Sequence, residues 1–355
     1  MDLSDKSTKV RKGEELDLER MEEFLRDNIP GLNGPISVEQ FPSGYSNLTY
    51  LIKMGERELV LRRPPFGRKA KTAHDMGREF RILSALKGVF RYCPEPLIYT
   101  EEESVAGCPF YVMDRIKGII LRRDIPEGME LSPESMTALC EDLVDVHYEL
   151  HSVDYESIGL GNLGKPEGYI RRQVEGWSER YRAARTGDAP SFETVMHWLS
   201  VEMPGESPRS AIIHNDYKFD NVVLDPLNNL KIKGVLDWEM ATIGDPLMDL
   251  GSSLAYWVQA DDSPALQAIR TLPTNLPGAL TRSRIVAGYA EKAGIQTGDF
   301  RFYYCFGLFR LAVIAQQIYY RFYHGQTKDP RFKTLIGAVH ALENTAVQLL
   351  RGAAM

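Results

Sequence analysis

His214-Asn215-Asp216-Tyr217-Lys218-Phe219-Asp220-Asn221, with Asp237 sixteen residues further on, gathers a proton acceptor and two oxygen ligands within a short span. Residues 222–224 and 230–236 read as strands, and Asp225-Pro226-Leu227-Asn228-Asn229 between them is rich in turn formers. In an antiparallel pair the start of one strand lies opposite the end of the other. Asn221 would therefore face Asp237. A carboxamide and a carboxylate at one strand end make a hard, all-oxygen site suited to Mg²⁺ carried by a nucleotide. Asp216, on the loop feeding that site, is placed to take the proton of an attacking hydroxyl. The chemistry this predicts is phosphoryl transfer. The plain alternative is a hairpin loop stocked with ordinary turn-forming Asp and Asn.

The same pattern resembles the catalytic loop of the kinases, in which an Asp orients the hydroxyl, an Asn binds Mg²⁺ and a further Asp completes the metal site. Elements must hold these groups in place. A helix is predicted over 17–28, then strands over 36–41, 48–54 and 58–62, and a helix over 72–87. Two more strands follow, over 97–100 and 110–114. Beyond Gly118 the pattern turns helical, over 133–151, 167–185, 191–202, 246–259, 281–293, 300–324 and 331–350, interrupted by the motif hairpin. A β-rich first third and a helical remainder give an α+β, bilobal layout. We expect a flexible arm over 1–16, a nucleotide-binding lobe over 17–117, and a catalytic and acceptor-binding lobe over 118–355.

Ser43-Gly44-Tyr45-Ser46-Asn47 joins the first two strands and could fold over phosphates through backbone N–H groups and hydroxyls, with Gly44 allowing close approach. Any tight turn uses the same residues. Arg62, or its neighbour Arg63, ends the third strand where kinases place a phosphate-binding Lys, and Glu79 lies in the next helix where the partner carboxylate belongs. Arginine keeps a permanent charge and can fork between carboxylate and phosphate, but its geometry differs from that of lysine. Asp114-Arg115-Ile116 falls at the hinge, where backbone groups of Asp114 and Ile116 would read an adenine edge. His214 is expected to brace the loop by hydrogen bonding.

Composition is that of an ordinary globular protein of 355 residues, with four scattered cysteines and no C-x-x-C pair. No signal peptide or apolar run of membrane-spanning length is seen, so a cytoplasmic protein without membrane partners is expected. The net charge of −7 argues against nucleic-acid binding. It conceals an asymmetry: residues 251–355 hold eleven Lys/Arg against six Asp/Glu.

Taken in order, these residues resemble the aminoglycoside phosphotransferase/choline kinase superfamily. The likeness is most specific over Ile213–Gly251, including Val235-Leu236-Asp237-Trp238-Glu239 and Gly244-Asp245-Pro246-Leu247-Met248-Asp249-Leu250. It implies a protein-kinase-like fold, ATP and Mg²⁺ as cofactors, Asp216 as catalytic base and Asn221 with Asp237 as metal ligands. It also implies that Lys218 neutralises the transferring phosphoryl and that Asp249 braces the loop. Trp-Glu after the metal Asp points away from protein kinases. Gly168–Trp177, with Phe309–Gln316 and Tyr320-Arg321, is similar to the kinase-like domain fused to some acyl-CoA dehydrogenases, a subgroup associated with hydroxyacyl-CoA substrates.

For the acceptor, a small-molecule alcohol, Arg310, Gln317, Arg321 and His324 recur on one face of the helix predicted over 300–324. That stripe suits a carboxylate or phosphate, or is simply a solvated face. The aromatic residues of the same helix leave a second reading open, a cation–π site for choline or another cationic alcohol, though such residues usually fill a core. A nucleotide-binding pseudokinase without turnover is the third. Oligomeric state is not legible.

Overall fold

The computed structural model describes residues 3–42, 47–65, 75–205, 209–353 and 355. Helix α1 (Leu18–Asn28), capped by Asp17, leads into β1 (Ile36–Gln40), β2 (Leu48–Met54) and β3 (Arg57–Arg63). Helix α2 (Met76–Leu86), β4 (Pro96–Thr100), the single turn α3 (Glu103–Ala106) and β5 (Phe110–Asp114) complete the first part. The strands form an antiparallel sheet in the order β1-β2-β3-β5-β4, with Arg62 opposite both Thr49 and Tyr111. One sheet face packs with α1 in its own apolar core of Met21, Leu25, Tyr50, Ile52, Leu59, Leu61 and Phe110. The other face joins α2 and the larger core below.

Helices α4 (Pro133–His151), α5 (Tyr169–Ala184) and α6 (Glu193–Val201) build the body. Four short strands follow: β6 (Ala211–Ile213), β7 (Val222–Leu224), β8 (Ile232–Val235) and β9 (Thr242–Gly244). They pair as β6 with β9 and β7 with β8. Helices α7 (Pro246–Leu254), α8 (Pro264–Ile269), α9 (Arg282–Ala293), α10 (Arg301–Tyr323) and α11 (Leu335–Leu350) finish the chain. Helix α4 starts on a Ser132 cap with Pro133 in its first turn, and α7 repeats the device with Asp245 and Pro246.

Several details differ from the sequence reading. β6 and β9, three residues each, are too short to carry a periodicity and were not expected. Helix α7 stops at Leu254, five residues before the predicted end, and Pro330–Thr334 is a 3₁₀ turn ahead of α11. The stretch expected as a flexible arm is pinned: Thr8 and Gln40 exchange backbone hydrogen bonds of 2.8 Å, and Asp5 N–H donates to Gly118 O. These residues extend the sheet edge, which a charge count does not reveal.

Helices α7 and α10 cross closely at two glycines. A Cβ placed at Gly307 would collide with the Gly251 carbonyl, and one at Gly251 would collide with the Tyr303 carbonyl. Backbone lies against backbone here, so a neighbouring side chain cannot give way. Gly307→Ala is expected to cost about 1–3 kcal/mol through overpacking, seen as a lower denaturant midpoint. Unchanged stability would mean that the two helices can separate freely.

Candidate active site

β6 ends at Ile213 and delivers His214, Asn215 and Asp216 to the end of the β7–β8 hairpin. The loop is held by one carboxylate. Asp249, wholly buried on α7, accepts His214 N–H at 2.8 Å and Asn215 N–H at 2.7 Å. It also meets His147 Nε2 at 3.0 Å and His151 Nε2 at 3.1 Å, both from α4. Burial opposes its charge, yet the two imidazole hydrogen bonds outweigh burial and hold its carboxyl well below the usual range. Burial, aided by His151, pushes the His147 imidazole down to about 4, so it serves as a neutral N–H donor. His147, His151 and Asp249 are close enough to share a cation. Both Asp249 oxygens already accept backbone N–H groups, however, and the cluster reads as a hydrogen-bonded brace.

His214 is a second brace. Its Nε2 lies 2.9 Å from Leu236 O and its Nδ1 accepts Asp216 N–H at 3.3 Å, which fixes one tautomer. Burial lowers its pKa below the ordinary value. Asn215, at φ +64°, and Asp237, at φ +66°, both occupy the left-handed region, where Asn and Asp are the most tolerated side chains after Gly.

The carboxylate of Asp216 is partly exposed and accepts from Lys218 Nζ at 2.5 Å and Asn221 Nδ2 at 2.8 Å. Because Asn221 donates with its nitrogen, its carbonyl oxygen is left for a cation. Burial works against the charge of Lys218, but Asp216 and Asp220 outweigh it and raise its pKa above the usual lysine value. The hairpin register pairs Val222 with Val235, and Leu236 N–H donates to Asn221 O at 2.8 Å. Asp237 thus sits one residue beyond the position opposite Asn221, still at the same hairpin end.

From the sheet, buried Arg62 reaches down to this end. Its Nη1 meets Glu79 Oε1 at 2.5 Å, and its Nη2 meets Asp237 Oδ1 at 2.9 Å and Glu239 Oε2 at 3.7 Å. Arg63 points elsewhere, donating to Ala106 O at 2.6 Å. Burial would raise the Asp237 pKa, but the Arg62 guanidinium overcomes it and holds the carboxyl low. For Glu79 burial prevails over Arg62 and raises the pKa. Arg62 Nε and Glu79 Oε2 are sealed from solvent without hydrogen-bond partners, a cost borne inside the ion pair. Asn47 Nδ2 donates to Glu239 Oε2 at 2.8 Å, and Arg78 of α2 donates to the carbonyls of Glu239 and Ala241.

Ser43, Gly44 and Ser46 lie outside the described residues. At the expected hinge, Asp114 N–H is spent on Glu95 O and its carboxylate on Arg57, so it cannot also read a base edge through that N–H. The Ile116 N–H has no backbone partner among the described residues, and its side chain abuts Gly234 on β8. The stripe of Arg310, Gln317 and Arg321 is not one cluster. Arg310 is buried, whereas Gln317 and Arg321 are exposed, since α10 carries residue 321 about 16 Å beyond residue 310 along its axis. Phe302, Tyr303, Phe306 and Phe309 of the same helix are buried in the main core and form no open aromatic cage. The sequence reading met Glu239 only as part of the Trp-Glu motif and assigned no site role to Glu239, Arg78 or Tyr256. The His147-x-x-x-His151 spacing, one helical turn, was the available signal for the brace.

A five-stranded antiparallel sheet over a helical body, with an acidic hairpin between them, is the kinase-like fold. The chain belongs to the phosphotransferase enzyme family, whose profile matches residues 37–281. A crystal structure from Ralstonia eutropha, provisionally described as an aminoglycoside phosphotransferase, is 30% identical, with a TM-score of 0.81 over 96% of this chain and 100% of that one. Choline kinase from Cryptosporidium parvum aligns over 94% of this chain and 96% of its own, with a TM-score of 0.64; at 12% identity this speaks for the fold alone. Acyl-CoA dehydrogenase family member 10 of Mus musculus is 35% identical over 323 residues, or 90% of this chain and 30% of the mouse protein. Family member 11 of Rattus norvegicus is 30% identical over 357 residues, or 99% and 45%. The chain therefore spans less than half the length of these curated relatives. Among the described residues no helix is long and apolar enough to cross a membrane.

The brace makes stability depend on pH. A folded-state pKa of about 4 for His147, against an ordinary 6.5, means that the unfolded chain binds more protons between those values. This contribution is whole above about pH 6.5 and is lost as pH falls toward 4, by on the order of 3 kcal/mol. His147→Gln should flatten that acid limb in denaturant titrations run across pH. A limb of unchanged slope would remove His147 from the account.

Proposed function

We propose that this chain is an ATP·Mg²⁺-dependent kinase of a small-molecule alcohol. The observation that carries the reading is the meeting of Asp216, Asn221, Asp237 and the Arg62–Glu79 pair at one hairpin end. The donor set suits the metal: one carboxylate and one free carboxamide oxygen are hard ligands, as Mg²⁺ requires. Mg²⁺ held by Asn221 and Asp237 would offset charge on the triphosphate oxygens.

Asp216 orients the acceptor hydroxyl and takes its proton. The hydroxyl oxygen bonds the γ-phosphorus as the bridge bond to the β-phosphate breaks, and ADP leaves with that electron pair. Lys218, charged and adjacent, offsets the negative charge that develops. Arg62 supplies a fixed cation at the phosphates, and its fork can serve Glu79 and a phosphate oxygen together. Most of the rate gain comes from positioning and electrostatics. Likeness to acyl-CoA dehydrogenase family members, together with the basic C-terminal third, supports a hydroxyacyl-CoA-type, anionic acceptor over choline or an aminoglycoside. The intact acidic set argues against a pseudokinase. Some fold neighbours are GDP complexes, so GTP is the second nucleotide to offer.

Asp216→Asn is expected to lower kcat by about 10²–10⁴ while nucleotide affinity, measured by calorimetry, stays within about twofold. Turnover that survives the substitution would rule out the proton-accepting role. Asp237→Asn should raise the Mg²⁺ concentration needed for half-maximal ATP consumption at least tenfold; an unshifted Mg²⁺ dependence would place the metal elsewhere.

A further inference from the structure

Beside the catalytic loop, a cation is buried without an opposing charge. Arg310, on α10, is 5% exposed, and its guanidinium carbon stands 5.2 Å from the Trp177 ring centroid. Every other buried arginine among the described residues has an oxygen partner. Arg62 has Glu79 and Asp237, Arg63 has Ala106 O, and Arg282 has Asp262 at 2.6 Å and Trp257 O at 2.8 Å. Among the described residues no hydrogen bond or ion pair involves Arg310. A buried guanidinium left unpaired is costly. Its nitrogens are nevertheless absent from the sealed, unsatisfied atoms of the interior, so the fork keeps a narrow contact with solvent.

Two tyrosines that feel the Arg310 charge stand beside the Asp216 loop. The Tyr169 hydroxyl lies 3.5 Å from Asn215 Oδ1, one residue before Asp216. Lys218 Nζ, bonded to Asp216, sits 5.1 Å from the Tyr256 ring centroid. Arg310 is near enough to act on the hydroxyls of both tyrosines, drawing down pKa values that burial raises, and Tyr256 also feels Asp216 and Lys218. The glycine crossing of α10 on α7 lies three residues before Arg310, which fixes the depth at which the fork arrives.

We propose that Arg310 is the specificity-determining residue of the acceptor site, where its fork, held by the Trp177 face and flanked by Tyr169 and Tyr256, binds an oxygen anion carried by the alcohol whose hydroxyl lies at Asp216. The proposal rests on the phosphotransferase reading and names the substrate class of that site. Stacking on an indole fixes the plane of a guanidinium and leaves its N–H edges free for a bidentate carboxylate or phosphate. A polycationic or quaternary-ammonium alcohol would meet like charge there. The anion has two sources, the carboxylate of a free hydroxy acid or a phosphate of a CoA thioester.

The test is calorimetric binding to the full chain, loaded with Mg²⁺ and a non-hydrolysable ATP analogue. The probes are 3-hydroxybutyrate, 3-hydroxybutyryl-CoA, CoA alone, 1,3-butanediol and choline. The wild type should bind at least one anionic probe ten times or more tighter than butanediol. Tightest binding to the free acid identifies a carboxylate, and comparable binding of the thioester and CoA identifies a phosphate. Arg310→Met, which keeps the packing volume, should erase the preference while leaving analogue affinity within twofold. Arg310→Lys, which keeps charge without the fork, should weaken the preferred probe at least fivefold, and carries the test should the Met variant fail to fold. Anionic probes bound no better than butanediol, or equally well by the variants, would overturn the proposal. Failure of the parent reading looks different: the analogue would not bind and ATP would not be consumed with any probe, while Arg310-dependent anion binding would persist.

Discussion

A single buried carboxylate organises this molecule. Asp249 is sealed from water and survives as an anion because four N–H groups converge on it, two from the backbone of His214 and Asn215 and two from imidazoles one turn apart on α4. A buried charge is tolerated only when its hydrogen bonds are complete, and removing any one donor leaves the rest with an uncompensated cost. The arrangement is therefore close to all-or-none. Through it, α4, α7 and the loop before Asp216 are tied together, and the glycine crossing packs α10 against α7. Tyr289 adds an outer layer, its hydroxyl 2.7 Å from His151 Nδ1, which orients that ring.

The second organising contact joins the sheet to the body. Arg62 spans from Glu79 on α2 to Asp237 on the hairpin, and Arg78 and Asn47 reach the same loop from the sheet side. All three draw on the segment Asp237–Ala241. That segment is therefore where the relative placement of the two halves is set, and where a ligand between them would have most leverage.

The sequence showed the hairpin end well, because motif spacing and turn chemistry are local properties. Asp216, Asn221 and Asp237 are separated by few residues and one tight turn, so little else intervenes. The choice between Arg62 and Arg63 was open, since strand alternation says only that they face opposite ways; Tyr111 opposite Arg62 and Ala106 beside Arg63 distinguish them. Burial along α10 was hidden for a related reason. Angular position places Arg310, Gln317 and Arg321 on one stripe, but depth depends on where α7 crosses. That crossing depends on Gly251 and Gly307, two residues with no side chain to announce it. The docked N-terminus and the strands β6 and β9 were missed because pairing partners far away in sequence create them.

Under the proposed function, Asp237 must leave Arg62 before it can meet a metal. Arginine keeps its proton and the guanidinium holds the Asp237 carboxyl below its usual range, so the Arg62–Asp237 contact is not opened by titration near neutral pH. It can only be exchanged: an incoming divalent cation must offer Asp237 more than the guanidinium does, and an incoming phosphate must give the freed guanidinium a new anion. Metal and nucleotide arriving together would satisfy both halves of that swap, whereas either alone would leave one charge stranded. Under the proposed function, this hairpin end would favour the paired ligand over its separate components.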